Sequence, residues 1–295
     1  MLKAVGVLAL VVVVAAACGS RPSRQSGPLS VVAGENFWAS IAAQVGGSKV
    51  AVHTVISDPN ADPHEYETTT GDARAFADAD LVILNGAGYD AWGSKLLAAS
   101  PSNHRQEMDV ALLLGKRAGD NPHLWYDPGA VVKVADAITA RYKSMDSADA
   151  SYFDQQRAEF TKALEPYTSE IANIKQKYSA TPIGATESIF VYMAEALSLN
   201  LTTPPAFMDA IAEGNHPPAG AVAQFHDQVA GNQIKALIFN VQTATAVTTN
   251  LKALAAAHHI PAVGVSETLH PQGAKFQDWQ LAQLKSLENA LAASR

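Results

Sequence analysis

Two histidines of this chain each follow a proline within a polar segment. His64 lies in Asp58-Pro-Asn-Ala-Asp-Pro-His-Glu-Tyr-Glu67, and His123 lies in Asn121-Pro-His-Leu-Trp-Tyr-Asp-Pro128. Because proline fixes its own φ and biases the preceding residue away from the helix, both histidines are expected on stiff, extended loops. Neutral imidazole is a common metal ligand. The pair therefore suggests two metal ligands, and two structural histidines are the alternative.

Two glutamates stand where an apolar strand pattern gives way to a helical one. Glu187 follows Ala185-Thr, and Glu267 follows Val265-Ser. In open α/β sheets, ligands bind beyond the carboxyl ends of the strands. A carboxylate at a helix start also has a structural explanation, since it stabilises the helix dipole by about 0.3–1 kcal/mol. Two carboxylates on matching strand ends of one lobe, opposite two histidines of another, favour a metal-binding role.

Short apolar, β-branched runs alternate with helical patterns along the chain. The predicted strands are 29–33, 50–56, 81–85, 182–186, 236–240 and 261–265. The predicted helices are 37–45, 71–79, 188–199, 219–229, 249–258 and 278–292. This alternation predicts an α/β fold of two lobes, each with a mostly parallel β-sheet flanked by helices.

The segment 148–178 has no strand pattern and carries one long apolar stripe with the period of a helix. The stripe consists of Phe153, Phe160, Leu164, Tyr167, Ile171, Ile174 and Tyr178. Such a helix is about 46 Å long, and Pro166 should kink it near 162–166. We expect one long connecting helix between an N-terminal lobe (29–147) and a C-terminal lobe (179–295). Two helices broken at Pro166 are the alternative.

The N-terminal segment has the pattern of a secretion signal. Lys3 precedes an apolar run over 4–17, which is shorter than the roughly 20 helical residues that a bilayer requires. Cys18 follows small residues, which predicts a lipoprotein signal peptide over 1–17, a lipid-modified Cys18 and a flexible tether over 18–28. The protein would then be lipid-anchored on the extracytoplasmic face of the cell membrane. An ordinary secretion signal with an incidental cysteine is the alternative.

The content of charged residues and cysteine limits which partners and which kinds of metal site the protein can have. Lys and Arg number 21 against 28 Asp and Glu, the net charge is −7, and the basic residues form no run. These features argue against a nucleic-acid partner. Cys18 is the single cysteine, so a disulfide framework and a cysteine-based metal site are excluded. The folded part is expected to be a soluble monomer.

Several segments together resemble a known family. They are Gly34-Glu-Asn-Phe-Trp38, Asp62-Pro-His-Glu-Tyr-Glu67, Asp72-Ala-Arg-Ala-Phe-Ala-Asp-Ala-Asp-Leu-Val82, Asn121-Pro-His-Leu-Trp-Tyr-Asp-Pro128 and Ser266-Glu-Thr-Leu269. The chain resembles, over residues 29–292, the extracytoplasmic substrate-binding lipoproteins of metal-ion ABC importers (the ZnuA/TroA-like cluster), which carry manganese, zinc or iron. The resemblance implies two α/β lobes joined by one long rigid helix, with the metal buried between them.

Carried over by position, the resemblance implies four metal ligands: His64, His123, Glu187 and Glu267. Zinc-specific members tend to have a third histidine where this chain has Glu187, whereas manganese- and iron-type members have glutamate. The last ligand is usually aspartate, so Glu267 is a departure that adds one methylene. Zinc importers often carry a histidine-rich loop between the first two ligands, and this chain has only His104 there.

The charge of these ligands bears on the metal. Two neutral imidazoles and two carboxylates cancel one divalent cation, as a buried site requires. Carboxylates can also chelate through both oxygens and raise the coordination number to the five or six that Mn(II) and Fe(II) accept, whereas Zn(II) prefers four. The sequence therefore favours Mn(II) over Zn(II), with Fe(II) as a further candidate. By the Irving–Williams order, Zn(II) should still bind at least as tightly in vitro.

The expected function is capture of a divalent metal and delivery to the membrane permease of an ABC importer, without catalysis. A secreted metal-dependent hydrolase or oxygenase, with Glu65 or Glu67 as base and Asp62 orienting it, is the alternative from another class. It is disfavoured because the sequence has no nucleophile elbow, phosphate-binding loop or His-Glu-x-x-His motif. A metal-binding surface adhesin is compatible with the capture role. Trp38, Trp125 and Tyr126 are expected to pack around the site and exclude water.

Overall fold

The protein is described here by a computed structural model, which covers residues 27–58 and 66–294. The predicted signal peptide (1–17), the lipidation site Cys18 and the predicted ligand His64 lie outside the described residues. So does most of the predicted tether over 18–28.

The first sheet has four strands in the order β2-β1-β3-β4, and every neighbouring pair is parallel. The strands are β1 (Leu29–Glu35), β2 (Val50–Ile56), β3 (Leu81–Leu84) and β4 (Gln106–Asp109). The helices beside them are α1 (Asn36–Gly46), α2 (Thr70–Asp78), α3 (Ala91–Ala99), α4 (Val110–Leu113) and α5 (Pro128–Met145). Strands β1 and β3 are almost entirely buried, which explains their continuous apolar sequence.

Two consecutive helical segments follow: α6 (Ala150–Ala163) and α7 (Glu165–Tyr178). Leu164 between them has φ −78° and ψ −15°, so the backbone stays right-handed helical through the junction. Pro166 lies in the first turn of α7, where its fixed φ suits the start of a helical segment. The result is one long, bent helix, as the sequence predicts. Of the predicted stripe, Ile171 alone is only partly buried.

The second sheet also has four parallel strands, in the order β6-β5-β7-β8. The strands are β5 (Pro182–Ala185), β6 (Asn200–Leu201), β7 (Leu237–Asn240) and β8 (Ala262–Val265). The helices are α8 (Val191–Ala196), α9 (Pro205–Ala212), α10 (Ala219–Ala230), α11 (Ala246–Ala257) and α12 (Phe276–Ala293). The predicted fold class, two parallel sheets flanked by helices and linked by a long helix, is confirmed.

A continuous apolar core joins the two sheets. It includes Val31 of β1, Ile238 of β7 and residues of the bent helix such as Phe153 and Tyr167. Helix α12 packs along α7, and α1 packs against α5 and α6. This core contains residues of both predicted lobes and of the connecting helix. The predicted domain boundaries after residues 147 and 178 therefore stay a prediction. Among the residues described, no helix is both long and apolar enough to span a bilayer.

Candidate metal centre

Three of the four predicted ligands come together in the structure. His123, Glu187 and Glu267 each offer one ligand atom, and these atoms all lie within 4.8 Å of one another. The exposed fractions of the three residues are 1%, 1% and 2%. The fourth predicted ligand, His64, follows β2 in a segment outside the described residues.

The topology of the second sheet explains why the two glutamates meet. Strand β7 lies between β5 and β8, and all three strands run parallel. Glu187 follows the end of β5 and Glu267 follows the end of β8, so both side chains stand at the carboxyl edge of one sheet. Two carboxylates this close and this deeply buried are costly unless a cation or strong donors offset their charge.

The amide of Asn240, the last residue of β7, supplies such a donor. Its Nδ2 donates to Oε1 of Glu187 over 2.9 Å and to Oε1 of Glu267 over 2.7 Å. The sequence motifs do not point to this residue. The available signal is a polar residue that ends the apolar run Leu237–Asn240 on the strand between the two ligand strands.

The side chain of Asn121 fixes the imidazole of His123. Asn121 Oδ1 accepts from the backbone N–H of His123 at 3.1 Å and lies 2.7 Å from its Nδ1. Since the oxygen is an acceptor, Nδ1 carries the proton and Nε2 keeps the lone pair that a metal requires. Asn121 Nδ2 also donates to the carbonyl of Ser188 at 2.8 Å. One side chain thus connects His123 to the residue next to Glu187.

Tyr89 reaches the site from the turn that follows β3. Its hydroxyl donates to Oε2 of Glu267 at 2.6 Å. The turn requires Gly86, because its φ of +76° is left-handed and a Cβ there would collide with the carboxylate of Asp109. The backbone N–H of Glu267 donates to Gln242 Oε1 at 2.6 Å. Glu267 is therefore held at its main chain and at both carboxylate oxygens.

The three aromatic residues expected around the site are fully buried. The ring of Trp125 lies 5.3 Å from that of His123 and stacks on Phe37 at 3.9 Å between centroids. Tyr126 donates to the carbonyl of Ser266, next to Glu267, at 2.8 Å. Trp38 donates to Asn85 at 3.0 Å. Trp125 therefore packs against His123, and Tyr126 contacts the residue before Glu267.

A second pair of buried acids, Glu35 and Asp90, supports the turn that carries Tyr89. Asp90 accepts from the N–H groups of Asn85 at 2.5 Å and Gly86 at 2.9 Å. Burial, with the nearby charge of Asp90 and a hydrogen bond to it, raises the pKa of Glu35 well above its ordinary value. Burial also raises the pKa of Asp90 to about 6. Burial beside Asp90 therefore favours the neutral form of Glu35.

The sequence of this chain is similar to those of known metal-transport proteins. The chain is 27% identical over 207 residues to the manganese ABC transporter substrate-binding lipoprotein PsaA of Streptococcus mitis. That match spans 64% of this chain and 66% of the relative, just under two thirds of its length.

Two solved structures are similar over most of the chain. FpvC from Pseudomonas aeruginosa, in complex with Mn²⁺, has a TM-score of 0.74 at 18% identity and covers 91% of this chain and 100% of its own. The Mn-bound periplasmic metal-binding protein from Candidatus Liberibacter asiaticus has a TM-score of 0.73 at 16% identity, covering 88% of this chain and 98% of its own. At these identities the similarity shows the fold alone.

A family model, described as zinc-uptake complex component A, periplasmic, matches residues 31–290. The match covers both sheets and the bent helix between them. The family and the named relatives are components of metal transport rather than enzymes, as the sequence predicts. The chain belongs to this ZnuA family of metal-uptake components, as its sequence motifs predict.

Proposed function

We propose that this protein captures one divalent transition-metal ion between its two sheets and delivers it to the membrane permease of an ABC importer. The observation that carries the proposal is the convergence of His123, Glu187 and Glu267, three buried residues from three separate loops, within 4.8 Å. Each side chain is oriented by a hydrogen-bonded neighbour, as metal ligands commonly are.

The ion is its cargo, held by His64, His123, Glu187 and Glu267. Two carboxylates neutralise a divalent charge, and the imidazoles add neutral donors, so the loaded site carries no net charge in its apolar surroundings. The support for His64 is the family motif in its segment and its position just after β2, whose carboxyl end lies at the same edge of the first sheet as that of β3.

Mn(II) is the favoured cargo, ahead of Zn(II), with Fe(II) as a further candidate. The support is the proposed ligand set of two carboxylates and two imidazoles. Carboxylates can bind through both oxygens and so reach the higher coordination numbers of Mn(II) and Fe(II). A relative is named as a manganese transporter lipoprotein, whereas the family description names zinc. The alternative of a metal-dependent hydrolase is not favoured, because the family consists of uptake components.

We also propose that the protein works as a monomer, anchored on the extracytoplasmic face of the cell membrane by a lipid on Cys18. Residues 18–28 would then be the tether between lipid and folded lobes. The support is the signal pattern before Cys18 and the naming of relatives as lipoproteins. Substrate-binding components of ABC importers act with a permease and an ATPase, which are the expected partners.

Thermal unfolding of residues 19–295, stripped of metal, tests the metal site directly. A ligand at 100 times its Kd stabilises the folded state by about 2.7 kcal/mol, so matched free Mn(II) and Zn(II) should both raise the melting temperature. Glu187→Ala should lose the response, and the Mn(II) response most. Glu159→Ala, in an exposed pair with Lys162, should respond like the unmutated protein. If neither metal raises the melting temperature, the four-ligand site and the proposed function are wrong.

A further inference from the structure

The position of Asn240 in the second sheet places it between the two carboxylate ligands. It ends β7, the strand between β5 and β8, and is 3% exposed. Its Nδ2 lies 2.9 Å from Oε1 of Glu187 and 2.7 Å from Oε1 of Glu267. One neutral amide therefore connects two anionic side chains, one of which lies 53 residues before it in the chain and the other 27 residues after it.

The orientation of this amide is fixed by its other end. Asn240 Oδ1 accepts from the backbone N–H of Gln242 at 2.9 Å, so the oxygen faces the chain and the nitrogen must face the carboxylates. An amide nitrogen has two hydrogens. The two carboxylates are its nearest acceptors, and Thr243 Oγ1 is more distant at 3.1 Å. The donor is thus preorganised before any ion arrives.

The same short segment also fixes the main chain of one ligand. Gln242 Oε1 accepts from the N–H of Glu267, and Gln242 Nε2 donates to Thr268 Oγ1 at 2.9 Å. The end of β7 therefore holds Glu267 at its side chain and its backbone, and Glu187 at its side chain. Without the amide, two buried carboxylates would lose their shared donor and repel each other.

We infer that Asn240 is a positioning residue for metal capture, which holds Glu187 and Glu267 together in the metal-free protein by donating one amide nitrogen to both. The inference rests on the proposed function. Because the amide is neutral, it orients the carboxylates without replacing the charge that attracts the cation. Partners of this kind, adjacent to the ligands, typically change metal affinity by 10–100-fold when they are removed.

The substitution that tests Asn240 is chosen according to the space around its side chain. A cavity of about 290 Å³, lined by Asn240, Thr243 and Lys252 among others, borders the position, so a smaller side chain would let water replace the amide. Asn240→Leu keeps the number and branching of the side-chain heavy atoms and removes the donor. Thr245→Ala is the matched control, because it removes the N-terminal cap of α11 close by in sequence without touching either carboxylate.

The experiment measures Kd for Mn(II) and Zn(II), the melting temperature without metal, and the visible absorption of bound Co(II). We expect Asn240→Leu to weaken both affinities by about 10–100-fold and to change the Co(II) spectrum, which reports ligand geometry. Thr245→Ala should lower the melting temperature and leave Kd and spectrum unchanged. If Asn240 had a purely structural role, both variants would lower the melting temperature, and neither would change Kd or the Co(II) spectrum. That result would overturn the inference.

Asn240→Met serves if the leucine variant does not fold, since its flexible apolar side chain also fills the position without a donor and should weaken both affinities similarly. If the unmutated protein binds metal and the folded Asn240 variants bind within twofold of it with the same Co(II) spectrum, the inference is wrong and the proposed function stands. If the unmutated protein binds neither metal, both are wrong.

Discussion

The hydroxyl of Tyr89 donates to Oε2 of Glu267 over 2.6 Å, although the two residues are separated by 178 positions. The bond joins the turn after β3 of the first sheet to a predicted ligand that follows β8 of the second. A hydrogen bond to an ionised acceptor is short and about twice as strong as a neutral one. The geometry of the carboxylate therefore depends on how the two halves of the protein pack together.

Replacement of Tyr89 by Phe should lower metal affinity about tenfold. The ring stays in place between Phe37 and Trp125, while one carboxylate oxygen of Glu267 loses its donor. Competition titration with a chromogenic chelator measures the change.

The control for this prediction is Tyr152→Phe, which removes an exposed hydroxyl that accepts from Ser48 N–H far from the ligands. It should leave Kd unchanged. Equal affinities for Tyr89→Phe and the unmutated protein would show that Glu267 does not depend on the phenol.

Six of the eight strands in the described residues could be predicted from sequence, and two edge strands, β4 and β6, could not. Strands β1, β2, β3, β5, β7 and β8 begin and end within two residues of their predicted limits. The missed strand β4 has the polar sequence Gln106-Glu-Met-Asp109, and the missed β6 has two residues. Both lie at sheet edges, where short and polar strands are common.

Some residues of the candidate site could be predicted from sequence motifs, and others could not. His123, Glu187 and Glu267 belong to sequence motifs with recognisable spacing, so they could be proposed as ligands. Asn240 and Tyr89 could not, because their role depends on which strand lies in the middle of a sheet and on contacts between distant segments. For the same reason, no local pattern indicates that Glu35 is buried beside Asp90.

The buried pair Glu35 and Asp90 predicts a pH dependence of stability. The pKa of Glu35 is raised in the folded state by burial and by Asp90, so the folded protein binds more protons than the unfolded chain. Stability is then greatest below the ordinary pKa of 4.5 and falls as pH rises toward the folded pKa, by at most about 1.4 kcal/mol per pH unit for this group. The pKa of Asp90 is raised to about 6. Its deprotonation therefore also lowers the stability of the folded protein as the pH rises from about 4 to about 6.

Glu35→Gln tests this sign, because glutamine stays neutral at every pH and has nearly the same size as glutamate. In the absence of metal, we expect the variant to melt higher than the unmutated protein at pH 8 and to lose less stability between pH 5 and 8. Calorimetry at several pH values measures both. Glu159→Gln, an exposed change on α6, should follow the unmutated profile, and a steeper loss in Glu35→Gln would contradict the protonation assigned to Glu35.

The stacked pair Phe37 and Trp125 predicts a link between core packing and the site. Phe37 is fully buried, so Phe37→Ala should destabilise the protein by about 3–5 kcal/mol. Because Trp125 contacts both this ring and His123, metal affinity should also fall. Urea unfolding and metal titration measure the two effects. Phe207→Ala, in the separate core beside β7 and α10, should cost similar stability and leave affinity unchanged.

Acid should release the metal, because protons and the ion compete for the same lone pairs. Each imidazole ligand must be deprotonated, so Kd should rise by roughly tenfold per pH unit for each histidine that titrates. Titration with Mn(II) at pH 7.5, 6 and 5, with circular dichroism to show that the fold persists, measures this loss. His123→Ala should bind more weakly at pH 7.5 and show a shallower pH dependence, since one proton-binding ligand is gone. Full affinity at pH 5 in the unmutated protein would mean that histidines do not hold the ion, and the site proposed here would have to be abandoned.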